Sequence, residues 1–373
     1  MRVLIVDDSV VFRTQISNAL KDIEGIEVVG TAANGKIALQ KISQLKVDLV
    51  TLDMEMPEMN GMETLKELRL TNKSIKVIIF SSQTVRGAEK ALEALHEGAD
   101  DVIAKPAGDH LNFESALGAV KSALVPKVVQ FFDQRLRRLS NEISLKATAD
   151  HSSISHHEAS EKQTSSPSLF LKKSIDSMEP QVLVIASSTG GPTALEHIFS
   201  KIPGPYRIPV LITQHMPPVF TQILARRIAE LSGVEAKEAE NGELIQSNRI
   251  YVAPGDKHLK VQSLGSDIAI RITQEDLRNS IRPAADFLFE TAAKCYSSKC
   301  LGVVLTGMGE DGCDGAKAIK SANGGILIQN KESCTVFGMP GAVFDAGAYD
   351  EMGDLEFIIR KLTLILKVHK GQL

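Results

Sequence analysis

The stretch VLVIASSTGGPTALEHIF, Val182 to Phe199, joins two different periodicities. Its first part is a continuous apolar run, as expected of a strand buried on both faces of a parallel sheet. Its second part, behind Pro192, carries apolar residues at helical spacing. Ser187, Ser188, Thr189 and two glycines lie between them. A strand passing directly into a helix is half of a strand–helix–strand unit, so the stretch predicts an open α/β sheet. In such sheets functional groups gather beyond the C-terminal ends of the strands. Taken alone, SSTGGP reads as a turn with a helix cap. It also reads as an anion cradle, although it lacks both GxGxxG and GxxxxGK[ST]. Gly190 and Gly191 are expected to let the backbone approach a substrate.

The same rhythm continues outward. After it come the runs IPVLITQH, RIYVAPGD, LGVVLTG and GGILIQN, while LKVQSLGSDIAIRIT alternates like an antiparallel hairpin. Residues from about 180 therefore predict a mostly parallel α/β domain with an antiparallel edge. Two further strand ends supply partners for a serine. LITQHMPP ends a strand with Thr213, Gln214 and His215, and LTGMGEDG carries Asp311 in a Gly-rich loop. A serine hydroxyl needs a base within hydrogen-bond reach, and the base needs an orienting carboxylate. Ser188, His215 and Asp311 meet that requirement if their strand ends converge. Each also has a plain reading, as a turn, a strand-end polar residue or a turn aspartate. The pattern is not the GxSxG elbow, and the order Ser, His, Asp differs from that of the α/β-hydrolases.

The first 120 residues repeat the strand–helix alternation with RVLIVDD, IEVVGTA, VDLVTLD, KVIIFSS and DDVIAKP. Five such units predict a doubly wound domain. Asp7 and Asp8 follow the first run, Asp53 ends the third, Ser81 the fourth, and Lys105 precedes Pro106. Right-handed crossovers bring these ends to one edge. Three carboxylates at one edge call for a hard cation, and Mg²⁺ suits oxygen ligands. This is chemistry for phosphorylating Asp53, with Asp7, Asp8 and Asp53 on the metal and Ser81 and Lys105 on the phosphoryl oxygens.

Between these halves, SLKATADHSSISHHEASEKQTSSPSL has no sustained periodicity and predicts a flexible linker. Its His151, His156 and His157 read as solvated residues rather than metal ligands. VPKVVQFFDQRLRRLSNEI ahead of it predicts an extra amphipathic helix. The expected division is a first domain over 1–120, helix and linker over 121–178, and a second domain over 179–373.

Composition narrows the function classes. A net charge of -4 argues against a nucleic-acid partner. No apolar run approaches the ~20 residues of a membrane span, and MRVLIVDDS is too short in apolar residues for a signal peptide. The four cysteines form no CxxC pair and read as reduced thiols, so a cytoplasmic location is expected.

VLIVDDS, LDMEMPEMNG, SS and AKP resemble a response-regulator receiver domain over its whole length. The resemblance implies a flavodoxin-like five-stranded sheet and phosphotransfer from a chemotaxis histidine kinase to Asp53. It also implies a peptide bond before Pro106 that is often cis. Receivers often carry an aromatic switch three positions before the lysine, where this chain has Val102.

ASSTGGPTAL, TQHMPP, YVAPGDKHL, RPAADFLFETAA, LTGMGEDG and CTVFGMPGA resemble the catalytic domain of the CheB family of chemotaxis protein-glutamate methylesterases. That resemblance implies Ser188 as nucleophile, His215 as base and Asp311 as its orienter, with the amides of Thr189 and Met308 as oxyanion donors. Ser188 is preferred to Ser187 because the family's serine directly precedes Thr-Gly-Gly. The implied activity is hydrolysis of glutamate 5-O-methyl esters, and deamidation of glutamine, on the cytoplasmic helices of methyl-accepting chemoreceptors. Mg²⁺ is implied for the receiver and no cofactor for the esterase. An unphosphorylated receiver is expected to block the Ser188 cleft. The alternative is a response regulator whose second domain binds an anion or protein without catalysis.

Overall fold

The computed structural model describes residues 1–106, 113–149, 170 and 172–367, with side chains described except at 113 and 134–149. His151, His156, His157 and most of the tract read as linker lie outside the described residues. The chain divides into two compact units, residues 1–82 with 102–166 and residues 83–101 with 167–373.

The first sheet comprises β1 (Arg2–Val6), β2 (Glu27–Ala32), β3 (Leu49–Asp53), β4 (Lys76–Ser81) and β5 (Asp101–Ala104). Their order is β2-β1-β3-β4-β5, and β1 pairs in parallel with both β2 and β3. The order reverses at β1, and the chain leaves β1 and β3 on adjacent rows. That switch point sets Asp7, just past β1, beside Asp53 at the end of β3. The helices are α1 (Val10–Leu20), α2 (Gly35–Gln44), α3 (Gly61–Thr71), α4 (Val85–His96) and α5 (Phe113–Ala149). Ser9 caps α1, Asn34 caps α2, and Asn60 forms a capping box with Glu63 on α3. Each cap takes an otherwise orphaned amide in the first turn. The extra helix expected after the receiver is not separate. α5 runs continuously through it, with Pro126 inside, where the helix lacks one backbone donor.

The second sheet has seven strands in the order β14-β13-β12-β6-β7-β9-β8. They are β6 (Val182–Ser187), β7 (Val210–Gln214), β8 (Glu235–Glu238), β9 (Arg249–Val252), β12 (Cys300–Val304), β13 (Gly325–Gln329) and β14 (Glu351–Gly353). Every pair is parallel. The four central strands are buried along their whole lengths, which is why their sequences are unbroken apolar runs. β8 and β14 are short, polar edge strands, so neither carries an apolar signature. The hairpin, β10 (His258–Leu264) with β11 (Asp267–Thr273), is present as a two-stranded antiparallel sheet of its own. α6 (Gly191–Lys201), α7 (Phe220–Ser232), α8 (Ala285–Tyr296), α9 (Cys313–Ser321), α10 (Met339–Asp345) and α11 (Leu355–Leu366) complete the unit.

The end of the tract read as linker is fastened down. Lys173 N donates to Asp350 Oδ1 at 2.7 Å, Ile175 N donates to Glu351 Oε1 at 2.8 Å, and Ile175 is fully buried. Asp350 also pairs with the buried Lys320 at 2.5 Å. These anchors are 30 to 177 residues apart in sequence, so local composition carries no trace of them.

Candidate functional site

The first constellation forms at the β1/β3 edge. Asp7 and Asp53 are buried and Asp8 is exposed. Each of the three offers a carboxylate oxygen, all within 4.8 Å of one another. Among the described residues this is the group suited to a metal ion, and its all-oxygen donor set fits Mg²⁺. Lys105 Nζ lies 2.8 Å from Asp7 Oδ2 and 2.9 Å from Asp53 Oδ1. Burial pushes the Asp53 carboxyl up to about 6; Lys105 opposes this and Asp7 adds to it. Burial also works against charge on Lys105, but the Asp53 and Asp7 carboxylates outweigh it and hold that ammonium above its ordinary value. Ser81 is buried at the end of β4, and its carbonyl accepts from Lys105 N at 2.8 Å. The cis peptide bonds among the described residues precede Pro205 and Pro283. The bond before Pro106 is not one of them, which corrects the expectation of a cis bond there.

The second constellation lies past three neighbouring strands. Ser188 follows β6, His215 follows β7, and Asp311 sits in the loop after β12. Since β12, β6 and β7 are consecutive in the sheet, the three residues emerge from one edge at its switch point. His215 Nε2 donates to Asp311 Oδ2 at 2.8 Å. Asp311 is buried and accepts two further bonds, from Ala285 N at 2.5 Å and Asp286 N at 3.1 Å. Burial alone would raise the Asp311 carboxyl. The His215 bond and charge, with the two amides, outweigh that and hold it below the ordinary carboxylate value.

The two serines differ in their surroundings. Ser187 is fully buried, and its hydroxyl donates to Gln214 Oε1 at 2.7 Å. Ser188 uses its backbone: its N–H donates to Thr306 O at 3.1 Å, and its carbonyl accepts from Gly191 N at 2.7 Å. Among the described residues no hydrogen bond joins the Ser188 hydroxyl to His215 or to any other group. The amides of Thr189 and Met308 likewise have no acceptor among the described residues. Met308 is brought to the serine by Gly307, where an added Cβ would sit 2.9 Å from Ser188 Cβ.

Both glycines are needed by packing within the protein. Gly190 has φ +77°, and a Cβ there would run into Thr335 Oγ1. At Gly191 a Cβ would run into Gln214 Oε1. The hydroxyls do not cap the helix, since the N-cap of α6 is Gly190 and no side chain caps it.

Residues that the sequence did not single out complete the edge. Gln214 Nε2 donates to Ser188 O at 3.0 Å and to His215 O at 3.3 Å, tying the ends of β6 and β7 together. Gln329 Oε1 accepts from Thr306 N at 2.8 Å. Asp286 and Arg278 lie behind Asp311. A glutamine at a strand end has no distinctive spacing, and only the adjacency of β6 with β7 reveals its role. All four cysteines are free thiols. No helix among the described residues is long and apolar enough to cross a membrane.

Two family descriptions match this chain, the response regulator receiver domain over residues 3–113 and CheB methylesterase over residues 183–362. A protein-glutamate methylesterase/protein-glutamine glutaminase from Trichodesmium erythraeum is 40% identical over 365 residues, covering 97% of this chain and 99% of the relative. One of the same name from Desulfotalea psychrophila is 38% identical over 372 residues, covering 99% of each. The solved CheB methylesterase catalytic domain of Thermotoga maritima is 40% identical, with a TM-score of 0.48, over 49% of this chain and 97% of that one. The chain therefore belongs to the protein-glutamate methylesterase/protein-glutamine glutaminase family, with a response-regulator receiver domain ahead of a CheB methylesterase domain.

Proposed function

We propose that Ser188 is the acyl-accepting nucleophile of a phosphorylation-regulated esterase and deamidase, acting on glutamate 5-O-methyl esters and glutamine side chains of chemoreceptors. The observation that carries this reading is the His215–Asp311 bond of 2.8 Å, one strand from the only one of the two serines whose hydroxyl is uncommitted. Asp311 accepts a hydrogen bond from Nε2–H, so the neutral His215 has Nδ1 as its basic nitrogen. As Ser188 Oγ attacks the side-chain carbonyl, Nδ1 accepts its proton. The tetrahedral oxygen then takes hydrogen bonds from the amides of Thr189 and Met308. Nδ1 returns the proton to the departing methanol or ammonia. Water, activated by the same nitrogen, cleaves the acyl-enzyme and releases the glutamate side chain.

The receiver would take a phosphoryl group from a chemotaxis histidine kinase on Asp53. Asp7, Asp8 and Asp53 would hold Mg²⁺, which supplies charge neutralisation for the transfer. Lys105 and Ser81 would contact the phosphoryl oxygens. We further propose that the unphosphorylated receiver restrains the esterase. Chains lacking the receiver should then show higher basal turnover, and unchanged or lower turnover would count against restraint. Nothing in the family supports the alternative of a non-catalytic output domain.

The direct test uses a serine-directed phosphonate together with methyl-labelled receptor membranes. Adduct mapped to Ser188, with volatile label lost in step, is the expected outcome. Adduct on Ser187, or label release without any serine adduct, would overturn the assignment.

A further inference from the structure

The first turn of α8 is an unusual place for a catalytic carboxylate to find its donors. The helix has no side-chain cap of its own, because its N-cap is Ala284. Two of its orphaned amides, Ala285 N and Asp286 N, are satisfied by Asp311, 26 and 25 residues away in sequence. The orientation of Asp311 is therefore only as firm as the start of α8.

Asp286 holds that start in place. It is 1% exposed, and the groups bonded to its carboxylate among the described residues are all donors. Oδ1 accepts from Gly315 N on α9 at 2.7 Å. Oδ2 accepts from Asn279 Nδ2 at 3.3 Å and lies 3.4 Å from Arg278 Nε. α9 begins at Cys313, two residues after Asp311. A closed ring results: Asp311 runs by the chain to Gly315, Gly315 bonds to the Asp286 carboxylate, and the Asp286 amide bonds back to Asp311. The two donors on Oδ2 come from a tight turn. Arg278 and Ile281 exchange backbone bonds of 3.2 and 3.0 Å, with Asn279 at φ +53° and Ser280 at φ +62°. Two consecutive left-handed non-glycine residues are costly, so the surroundings must hold this turn. Arg278 is further braced by Glu290 at 2.8 Å and by Asp314 at 3.4 Å.

Resting on the nucleophile and base assigned above, we infer that Asp286, braced by Arg278 and Asn279, is a positioning residue for the reaction: it fixes the helix start that orients Asp311 toward His215. Its ionised form is the one that works, since a protonated oxygen would turn a donor toward donors. Burial, and next the Asp311 charge, push its carboxyl up to about 7, while Gly315 N and Arg278 oppose them and Asp314 adds to them. Cys313 also faces it from α9. The ring thus loosens as pH falls through the neutral range.

The test compares full-length Asp286→Asn, Arg278→Met and Ser188→Ala chains by methanol release from methylated receptor membranes between about pH 5.5 and 9. Asp286→Asn should lower kcat about ten- to a hundredfold with KM within twofold, and its kcat should respond less to pH on the acid side. Arg278→Met removes the cation that opposes protonation of Asp286, so its acid limb should move to higher pH. If Asp286→Asn fails to fold, the Arg278→Met profile decides. Wild-type kcat and an unmoved acid limb in both variants, with Ser188→Ala inactive, would overturn the positioning role and leave the nucleophile intact. Undiminished turnover in Ser188→Ala would instead overturn the assignment on which this role rests.

Discussion

The two units solve one electrostatic problem in opposite ways. Each sets a buried aspartate past a parallel strand at a switch point, Asp53 in the first and Asp311 in the second. Asp53 shares its edge with two other carboxylates and one lysine, and its carboxyl is pushed up to about 6. Asp311 is met by two helix amides and an imidazole, and is held below the ordinary value. The first site is short of positive charge and suits an incoming cation. The second is complete in donors and suits a fixed orienting role. Amides fixed in a fold neutralise charge without adding an ion, whereas clustered carboxylates leave that work to a partner.

The largest expected effect breaks the second site. Ser188→Ala should lower ester hydrolysis by about a million-fold, as loss of a hydrolase serine does, measured by methanol release. Asp311→Asn follows. Its amide nitrogen would face two N–H groups or the imidazole N–H, so turnover should fall about 10⁴-fold, with receptor binding retained. A tenfold loss or less would mean that the three donors do not orient the base.

The first site is sharpened by titration. Lys105→Met should move the Asp53 carboxyl above about 6, followed by carboxyl chemical shifts, while added Mg²⁺ should move it down in the wild type. A wild-type titration that ignores Mg²⁺ would count against the metal assignment. The same shift has a stability consequence. A carboxyl raised from 3.8 to about 6 favours folding below about pH 3.8 and loses that contribution as pH rises through about 6. Asp53→Asn should therefore melt higher than wild type at pH 7.5, with the gain vanishing by about pH 4. For Asp311, held low, the sign reverses: its contribution is present above 3.8 and is lost only as pH falls below that value. The smallest effect expected is Ser187→Ala. It removes one buried hydrogen bond, should cost about 1 kcal/mol in thermal unfolding, and should leave turnover within about tenfold.

Much of this was legible in the chain. Continuous apolar runs marked the central strands, because strands covered on both faces have no polar side to show. The edge strands β8 and β14 were not legible for the converse reason. Asp7, Asp53 and Lys105, and likewise His215 and Asp311, were nameable as strand-end residues, since a parallel sheet sends all such ends to one edge.

Sequence by itself thus determined the α/β class, the two families and the residue types at each edge. Tertiary structure alone decided which serine hydroxyl is free, which imidazole nitrogen Asp311 engages, and that Gln214, Asp286 and Arg278 stand behind them. The physical reason is reach. Periodicity reports neighbours a few residues apart, whereas hydrogen bonds such as Asp286 N to Asp311, 25 residues away, exist only once strands and helices from distant segments have packed.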